Sequence, residues 1–334
     1  MSNASWGNLS DQAIAFAGVV YFVALLVHLV EWASLRERVT ATSVAAGSDQ
    51  SGGVAVATGG PAPEPTHRVA FLGRLGFLLT VIALGIHLLA LVSRGMAADP
   101  NRVPWGNMYE FTISGTFVVT LLYVALHRKL KLGWMAPIVI AFVLSALMVA
   151  VIWLHEEVAP LTEALNSYWL VIHVVSAIIA TGAFTLGGIV SAMYLVKRRA
   201  GDAAGGPLAR VPSLESLDRL AYRIHAFGFP VWTFAVLITG PIWAHEAWSS
   251  YWNWDPKEVW AFITWVVYAG YLHARATAGW KGRNAALLAL LGLATLWFNF
   301  IGINYFSSSS QHSYAAPAMS VVEQQAPSSV LETR

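Results

Sequence analysis

The sequence predicts an all-α polytopic membrane protein with about eight transmembrane helices and a tryptophan-rich loop on the extracytoplasmic side. Three observations predict it. Of 334 residues, 57% are hydrophobic and only 11% are charged, against roughly 25% charged in a water-soluble domain. Apolar runs of about 20 residues, the length that crosses a bilayer core, recur along the chain. The basic residues also segregate. Arg94, Arg102, Lys257 and Arg334 flank one set of loops, and the other 16 of the 20 Lys and Arg flank the opposite set. The positive-inside rule makes the richer face cytoplasmic.

The elements follow in order. Residues 1–39 are expected to hold the first span, over 13–33. The preceding "MSNASWGNLSDQ" is polar without a basic cluster, so no cleaved signal peptide is read. Residues 40–67 are small, polar and rich in Gly and Pro, which predicts a flexible cytoplasmic linker. The bundle is expected over 68–314, with spans at 74–93, 111–127, 134–153, 169–196, 224–243, 259–274 and 284–306. "RKLK" at 128–131, "KRR" at 197–199, and Arg275 with Lys281 and Arg283 mark cytoplasmic ends. A short linker is expected at 200–213. Residues 315–334 lack a helical period and are expected to be a disordered extracytoplasmic tail. Both termini then lie outside, at the plasma membrane, as does the tryptophan loop near 243–260.

Composition also excludes. There is no cysteine, so the chain forms no disulfide, holds no iron–sulfur cluster through its own thiolates, and has no internal thiol shuttle. A net charge of +2 gives no case for nucleic acid. No nucleophile–base pair, P-loop or zinc spacing is present, so no catalytic side chain is singled out.

The chemistry concentrates in one stretch, "HEAWSSYWNWDPKEVWAFITW", His245 to Trp265. Trp243, Trp248, Trp252, Trp254 and Trp260 fall within 18 residues. An interfacial aromatic belt accounts for one or two rings per helix end, as at Trp153 and Trp169, but not for five. On a short surface helix Trp248 and Trp252 would share a face. Such an aromatic sheet beside histidines suits a flat, apolar, metal-bearing ligand. Asp255-Pro-Lys-Glu258 reads first as a helix start, with Asp as N-cap, Pro at the first helical position and Glu three residues on. A direct ligand role for Asp255 is the lesser reading.

The ten histidines sort by depth. His87, His155, His173, His245 and His312 fall near the outer face; His28, His225 and His273 near the inner face; His67 and His127 in cytoplasmic segments. A lone membrane histidine is usually a hydrogen-bonded packing residue, yet polar groups there are also functional candidates. His173 lies about 6 Å below the outer end of its span at 1.5 Å per residue. His312 directly follows the last span on the same side.

"WSSYWNWDPKEVWAFITWVVYAGYLHAR" resembles the WWD signature of the haem-handling proteins of cytochrome c biogenesis, and is most similar to their CcsA/ResC type, of the System II pathway. "WGNMYEF" (105–111), "LNSYWLVIHVVS" (165–176), "RIHAFGFP" (223–230) and "QHSY" (311–314) agree with it. The resemblance covers roughly 70–315. Ser249 departs from the glycine usual there, and the 40–66 segment lies outside the pattern. The resemblance implies haem b as bound ligand and substrate, with His173 and His312 as outer axial ligands and His273 as an inner one. Trp248, Trp252, Trp254 and Asp255 would form the haem-binding loop. It implies a CcsB/ResB-type membrane partner carrying the second inner ligand, apocytochrome c with its CxxCH motif, and thiol-reducing proteins acting indirectly. The activity implied is haem delivery across the membrane and thioether attachment, as part of a holocytochrome c synthase. His28 is a local alternative for the inner site, and His225 reads as structural. Rival readings are a b-type electron-transfer protein, a haem transporter without synthase activity, and a System I haem handler.

Overall fold

The computed structural model describes residues 1–48, 67–158, 167–201, 206–307 and 310, and among them all regular structure is helical. Helix α1 (Asn3–Ser48) and α2 (His67–Ala97) pair along their length. Ala13, Ala17 and Ala24 of α1 and Ala83 and Ala90 of α2 are buried. Small residues let membrane helices approach closely, where no hydrophobic drive separates helix from lipid. The helix α1 runs on to Ser48, past the point where a linker was expected to begin at 40. The rest of that segment, 49–66, lies outside the described residues, as does the tail 315–334.

Helix α3 (Met108–Leu126) starts at Asn107, whose side chain accepts from the Glu110 N–H. A 3₁₀ turn, Leu132–Met135, leads into α4 (Ala136–Trp153), with Pro137 in its first turn. Helix α5 (Tyr168–Ala200) is capped by Ser167 and ends on Lys197, Arg198 and Arg199, cations that complement the helix dipole. Helix α6 (Leu214–Thr233) passes through a π-helical segment, Phe234–Thr239, into α7 (Gly240–Trp248). Pro230 and Pro241 bracket that segment and cannot donate backbone N–H groups. Between them the ladder widens, so that Gly240 N–H reaches the Ala235 carbonyl. Helix α8 (Pro256–Ala276) follows the tryptophan loop. Helix α9 (Arg283–Trp297) runs through a second π segment, Phe298–Gly302, into α10 (Ile303–Phe306).

Seven stretches among the described residues are long and apolar enough to cross a membrane, with Leu214–Trp248 counted as one. The eighth expected span is α8. At 21 residues it is about 31 Å long, a spanning length. It carries Lys257, Glu258, His273 and Arg275, and is too polar to be counted with the seven.

The largest core joins α1–α6 around Tyr21, Tyr123, Met135, Ile140 and Leu147. A second joins α5, α6, α8 and α9, where Phe184 stacks on Tyr268 at 3.8 Å beside Trp232 and Leu296. A third, of Leu170, Val174 and Trp243 with Trp105, Phe111 and Trp248 against them, lies at the end where α5 begins and the tryptophan loop emerges. The loop before α3 is fixed there by a buried carboxylate. Glu110 accepts from Arg94 at 3.0 Å, Arg102 at 2.6 Å and the Gly106 N–H at 2.7 Å. Phe16, Phe71 and Ile152 are exposed on the outside of the bundle, as a lipid-facing surface requires.

Candidate functional site

His173 sits in the second turn of α5, half-buried. Its Nδ1 lies 2.9 Å from the Ala235 carbonyl. A carbonyl only accepts, so Nδ1 carries the proton and Nε2 carries the lone pair. Metal-binding histidines are commonly oriented in this way, by a backbone carbonyl on the far ring nitrogen. Ala235 is in the π segment, and its carbonyl also takes the Gly240 N–H. Gly240 leaves room for the ring: a Cβ there would lie 3.2 Å from His173 Cε1 and Nδ1. Trp243, one turn on, stacks on the imidazole at 5.9 Å with planes 16° apart. π segments recur at functional sites because they re-aim backbone groups, and here one aims a carbonyl at an imidazole.

The ring borders a cavity of about 480 Å³ lined by residues of every helix from α3 to α10, of both π segments and of the tryptophan loop. Its wall is mainly apolar, with Phe111, Val119, Leu170, Trp232, Leu296 and Phe300. Its ionisable or amide side chains are His173, Tyr251, Lys257, Glu258, Asn299 and Tyr305. The volume falls in the ordinary range of small-molecule sites, about 300–1,000 Å³. Lys257 Nζ donates to Asn304 Oδ1 at 3.1 Å. The Glu258 carboxylate accepts the N–H groups of Asn253 at 2.9 Å and Asp255 at 3.2 Å, which ties the loop to the start of α8.

The tryptophans divide. Trp252 is half-buried and lines the cavity, as does Trp243. Trp248 lies against Trp243 at 4.8 Å, in the layer behind. Trp254 is 76% exposed, has φ +57°, and stands outside the cavity wall, edge-on to Trp252 at 6.0 Å. The expectation that Trp248 and Trp252 share a helix face is corrected here. Helix α7 ends at Trp248, because Ser249 takes the left-handed conformation (φ 57°, ψ 21°), and Trp252 lies in the loop beyond. Asp255 caps α8 in a full capping box with Glu258, as the helix-start pattern predicts. Its Oδ1 also accepts from the Ser310 hydroxyl at 2.9 Å.

Of the other histidines, His245 of α7 stacks on Tyr251 of the cavity wall at 4.3 Å, while His28, His87, His225 and His273 stand apart from this site. His312 lies outside the described residues. His273 is exposed at the far end of α8. Sixteen residues from Lys257, it is about 24 Å away along the helix. His28 is buried, with Nδ1 3.2 Å from Glu31 Oε2 and its ring seated on Gly76 of α2. His225 is fully buried among Phe184, Tyr268 and Tyr271. Neither packing leaves room for a large planar ligand. His87 is a core residue between Tyr21 and Phe117.

Comparison with known proteins decides the family. Residues 105–310 match the family described as "Cytochrome C assembly protein". The protein called cytochrome c biogenesis protein CcsA in Porphyra purpurea is 32% identical over 287 residues, covering 74% of this chain and 89% of its own. The one so called in Synechococcus sp. (strain JA-2-3B'a(2-13)) is 32% identical over 351 residues, covering 86% and 95%. The chain belongs to the cytochrome c assembly family, as a CcsA-type biogenesis protein. The solved structure of cytochrome c heme lyase CcmF shares the fold, with a TM-score of 0.57 at 15% identity over 91% of this chain. The chain spans about half, 49%, of that structure.

In this CcsA-type chain the matched region contains His173, Gly240, Trp243 and Trp252, and so the whole His173 corner of the cavity. Sequence reasoning missed Gly240, Trp232, Tyr251 and Asn299 on the wall. Only the double proline, Pro230 and Pro241, signals that the α6 ladder changes register beneath His173.

Proposed function

We propose that the chain carries haem b to the outer side of the plasma membrane and holds it there for covalent attachment to apocytochrome c. The observation that carries this reading is His173: an imidazole with its Nδ1 proton held by a carbonyl, stacked on tryptophan, at the wall of an apolar cavity. That donor set fits a flat macrocycle with a central metal. The aromatic wall takes the ring faces, Nε2 takes the iron, and the ammonium of Lys257 faces an acidic ligand edge. His312 serves as the second outer ligand. The described chain leads towards it at Ser310, hydrogen-bonded to Asp255, and two residues reach about 7 Å at full extension. Trp252 is the platform residue and Trp248 supports it from behind. Trp254, on the exposed side, is presented to the incoming apocytochrome.

In the attachment step each cysteine thiol of CxxCH adds across a haem vinyl group. The sulfur bonds to one vinyl carbon and the thiol hydrogen goes to the other, so no group leaves. The apocytochrome histidine then displaces one protein imidazole from the iron. This chain contributes position, exclusion of water and protection of the iron; the chemistry belongs to haem and thiols. His273, about 24 Å away along α8, serves an inner haem site completed by a CcsB/ResB-type partner, and thiol-reducing proteins keep the CxxCH cysteines reduced. The test is co-purification from membranes. A CcsB/ResB-type protein should accompany the chain, with bound haem showing a low-spin bis-histidine spectrum. A haem-free complex, or haem with a reversible couple and quinol oxidation but no cytochrome c maturation, would refute the reading.

A further inference from the structure

A second concavity lies at the other end of α5. Tyr194 is 21 residues from His173, about 31 Å along the helix. The hollow is shallow and open to solvent, about 450 Å³, and is lined by Tyr194 and Arg198 of α5 and by Lys281, Gly282, Arg283 and Asn284 at the start of α9. No carboxylate lines it. Among the described residues, no ion pair joins Arg198, Lys281 or Arg283 to an acid. The nearby Asp218 is committed elsewhere, accepting from Arg275 at 2.6 Å and from the Gly282 N–H at 2.8 Å. That bond holds the loop in place from behind. Gly282 has φ +66°, and a Cβ there would meet the Tyr194 hydroxyl at 2.5 Å, so the turn closes against the tyrosine only because the residue is glycine. The unsatisfied N–H groups of the 15-residue helix α9 begin at this point.

Cytoplasmic loops are basic for reasons of topology alone. Topology asks only for charge on the loops. It does not ask that cations from the end of α5 and the start of α9 converge on one hollow with a tyrosine hydroxyl and no acid. Both α5 and α9 are spanning helices, so the hollow opens at the membrane–water boundary. Arginine forks, a lysine ammonium and a hydroxyl are the donors that phosphate oxygens take. We infer that this pocket binds a phosphate-bearing anion. Two sources share that chemistry, the headgroup of an anionic lipid and soluble phosphate.

Thermal unfolding of the full chain in detergent tests this, with short-chain phosphatidylglycerol, short-chain phosphatidylcholine or inorganic phosphate added. Phosphatidylglycerol should raise the midpoint and phosphatidylcholine should not. The triple variant Arg198→Gln/Lys281→Gln/Arg283→Gln, all exposed positions, should bind roughly 10- to 100-fold more weakly. Arg128→Gln/Lys129→Gln/Lys131→Gln, altered in another basic loop, should bind as the parent does. An equal shift with inorganic phosphate, lost in the first variant only, keeps the site and makes its ligand soluble. No shift in the parent, an equal shift with phosphatidylcholine, or equal loss in both variants overturns the inference.

Discussion

Two glycines on the same cavity wall should respond oppositely to one added methyl group. At Gly240 a Cβ would lie 3.0 Å from the Ala235 carbonyl and 3.2 Å from His173 Cε1 and Nδ1. Ordinary contact begins near 3.4 Å, so something must give by a few tenths of an ångström. The carbonyl is fixed by the π turn, which leaves the imidazole to move and its 2.9 Å bond to stretch. Overpacking costs about 1–3 kcal/mol, and the weakened hydrogen bond up to about 1 kcal/mol. Position 240 is helical, so alanine returns about 1 kcal/mol of propensity, and the global stability change is small. The ligand geometry takes the damage, and loss of roughly 1.4 kcal/mol there is tenfold in affinity. At Gly115 a Cβ would meet nothing within 4 Å, so alanine gains propensity without a clash. Soret absorbance per chain of the purified complex, with the unfolding midpoint, measures both. Gly240→Ala should retain about a tenth of the outer-cavity haem and Gly115→Ala all of it, with the inner-site haem unchanged in both. Full haem in Gly240→Ala, or equal loss in both, would refute the reasoning that the π turn and glycine position His173.

Other outcomes follow from the same geometry. Trp252→Ala should lower haem occupancy about tenfold or more, through burial plus roughly 0.5–1.5 kcal/mol of aromatic contact. Trp254→Ala, at an exposed ring, should leave occupancy intact and lower cytochrome c yield; equal occupancy loss in both would mean that the cavity wall is drawn wrongly. Ser249→Gly should stabilise the chain by about 1 kcal/mol, since the left-handed C-cap disfavours serine, read as a raised unfolding midpoint with unchanged haem content. Burial lowers the His127 pKa, with His28 and Arg128 adding to it. Its neutral form is therefore the one the fold prefers. The stability it contributes is complete above the ordinary histidine value of about 6.5, and is lost as pH falls from there through the depressed folded value. His127→Asn should flatten the midpoint-versus-pH curve below that value, and an unchanged slope would exclude it as the group responsible.

The apolar runs made the spans readable, because composition over 20 residues is a strong local signal. Asp255 and Glu258 gave the start of α8 for the same reason: a capping box is complete within four residues. What depends on several helices was hidden. The cavity draws its wall from every helix from α3 to α10, and the partner of His173 is a backbone carbonyl 62 positions away, which no side-chain pattern records. The Trp248–Trp252 reading failed at one residue. Helical spacing assumes that the helix continues, and Ser249 in the left-handed region ends it. The linker was read from small and polar residues, and α1 nevertheless continues through 40–48.

The central claim is that His173 is an axial ligand of haem held in the outer cavity, and one variant tests it most directly. His173→Gly removes the imidazole and leaves a hole beside the cavity that free imidazole can fill from water. The complex carrying this variant should lose the low-spin bis-histidine spectrum of the outer haem and stop assembling cytochrome c. Millimolar imidazole should restore both in part, while His28→Gly, in a closed pocket on Gly76, should leave that spectrum unchanged. An unaltered bis-histidine spectrum and normal cytochrome c assembly in His173→Gly without imidazole would contradict the account.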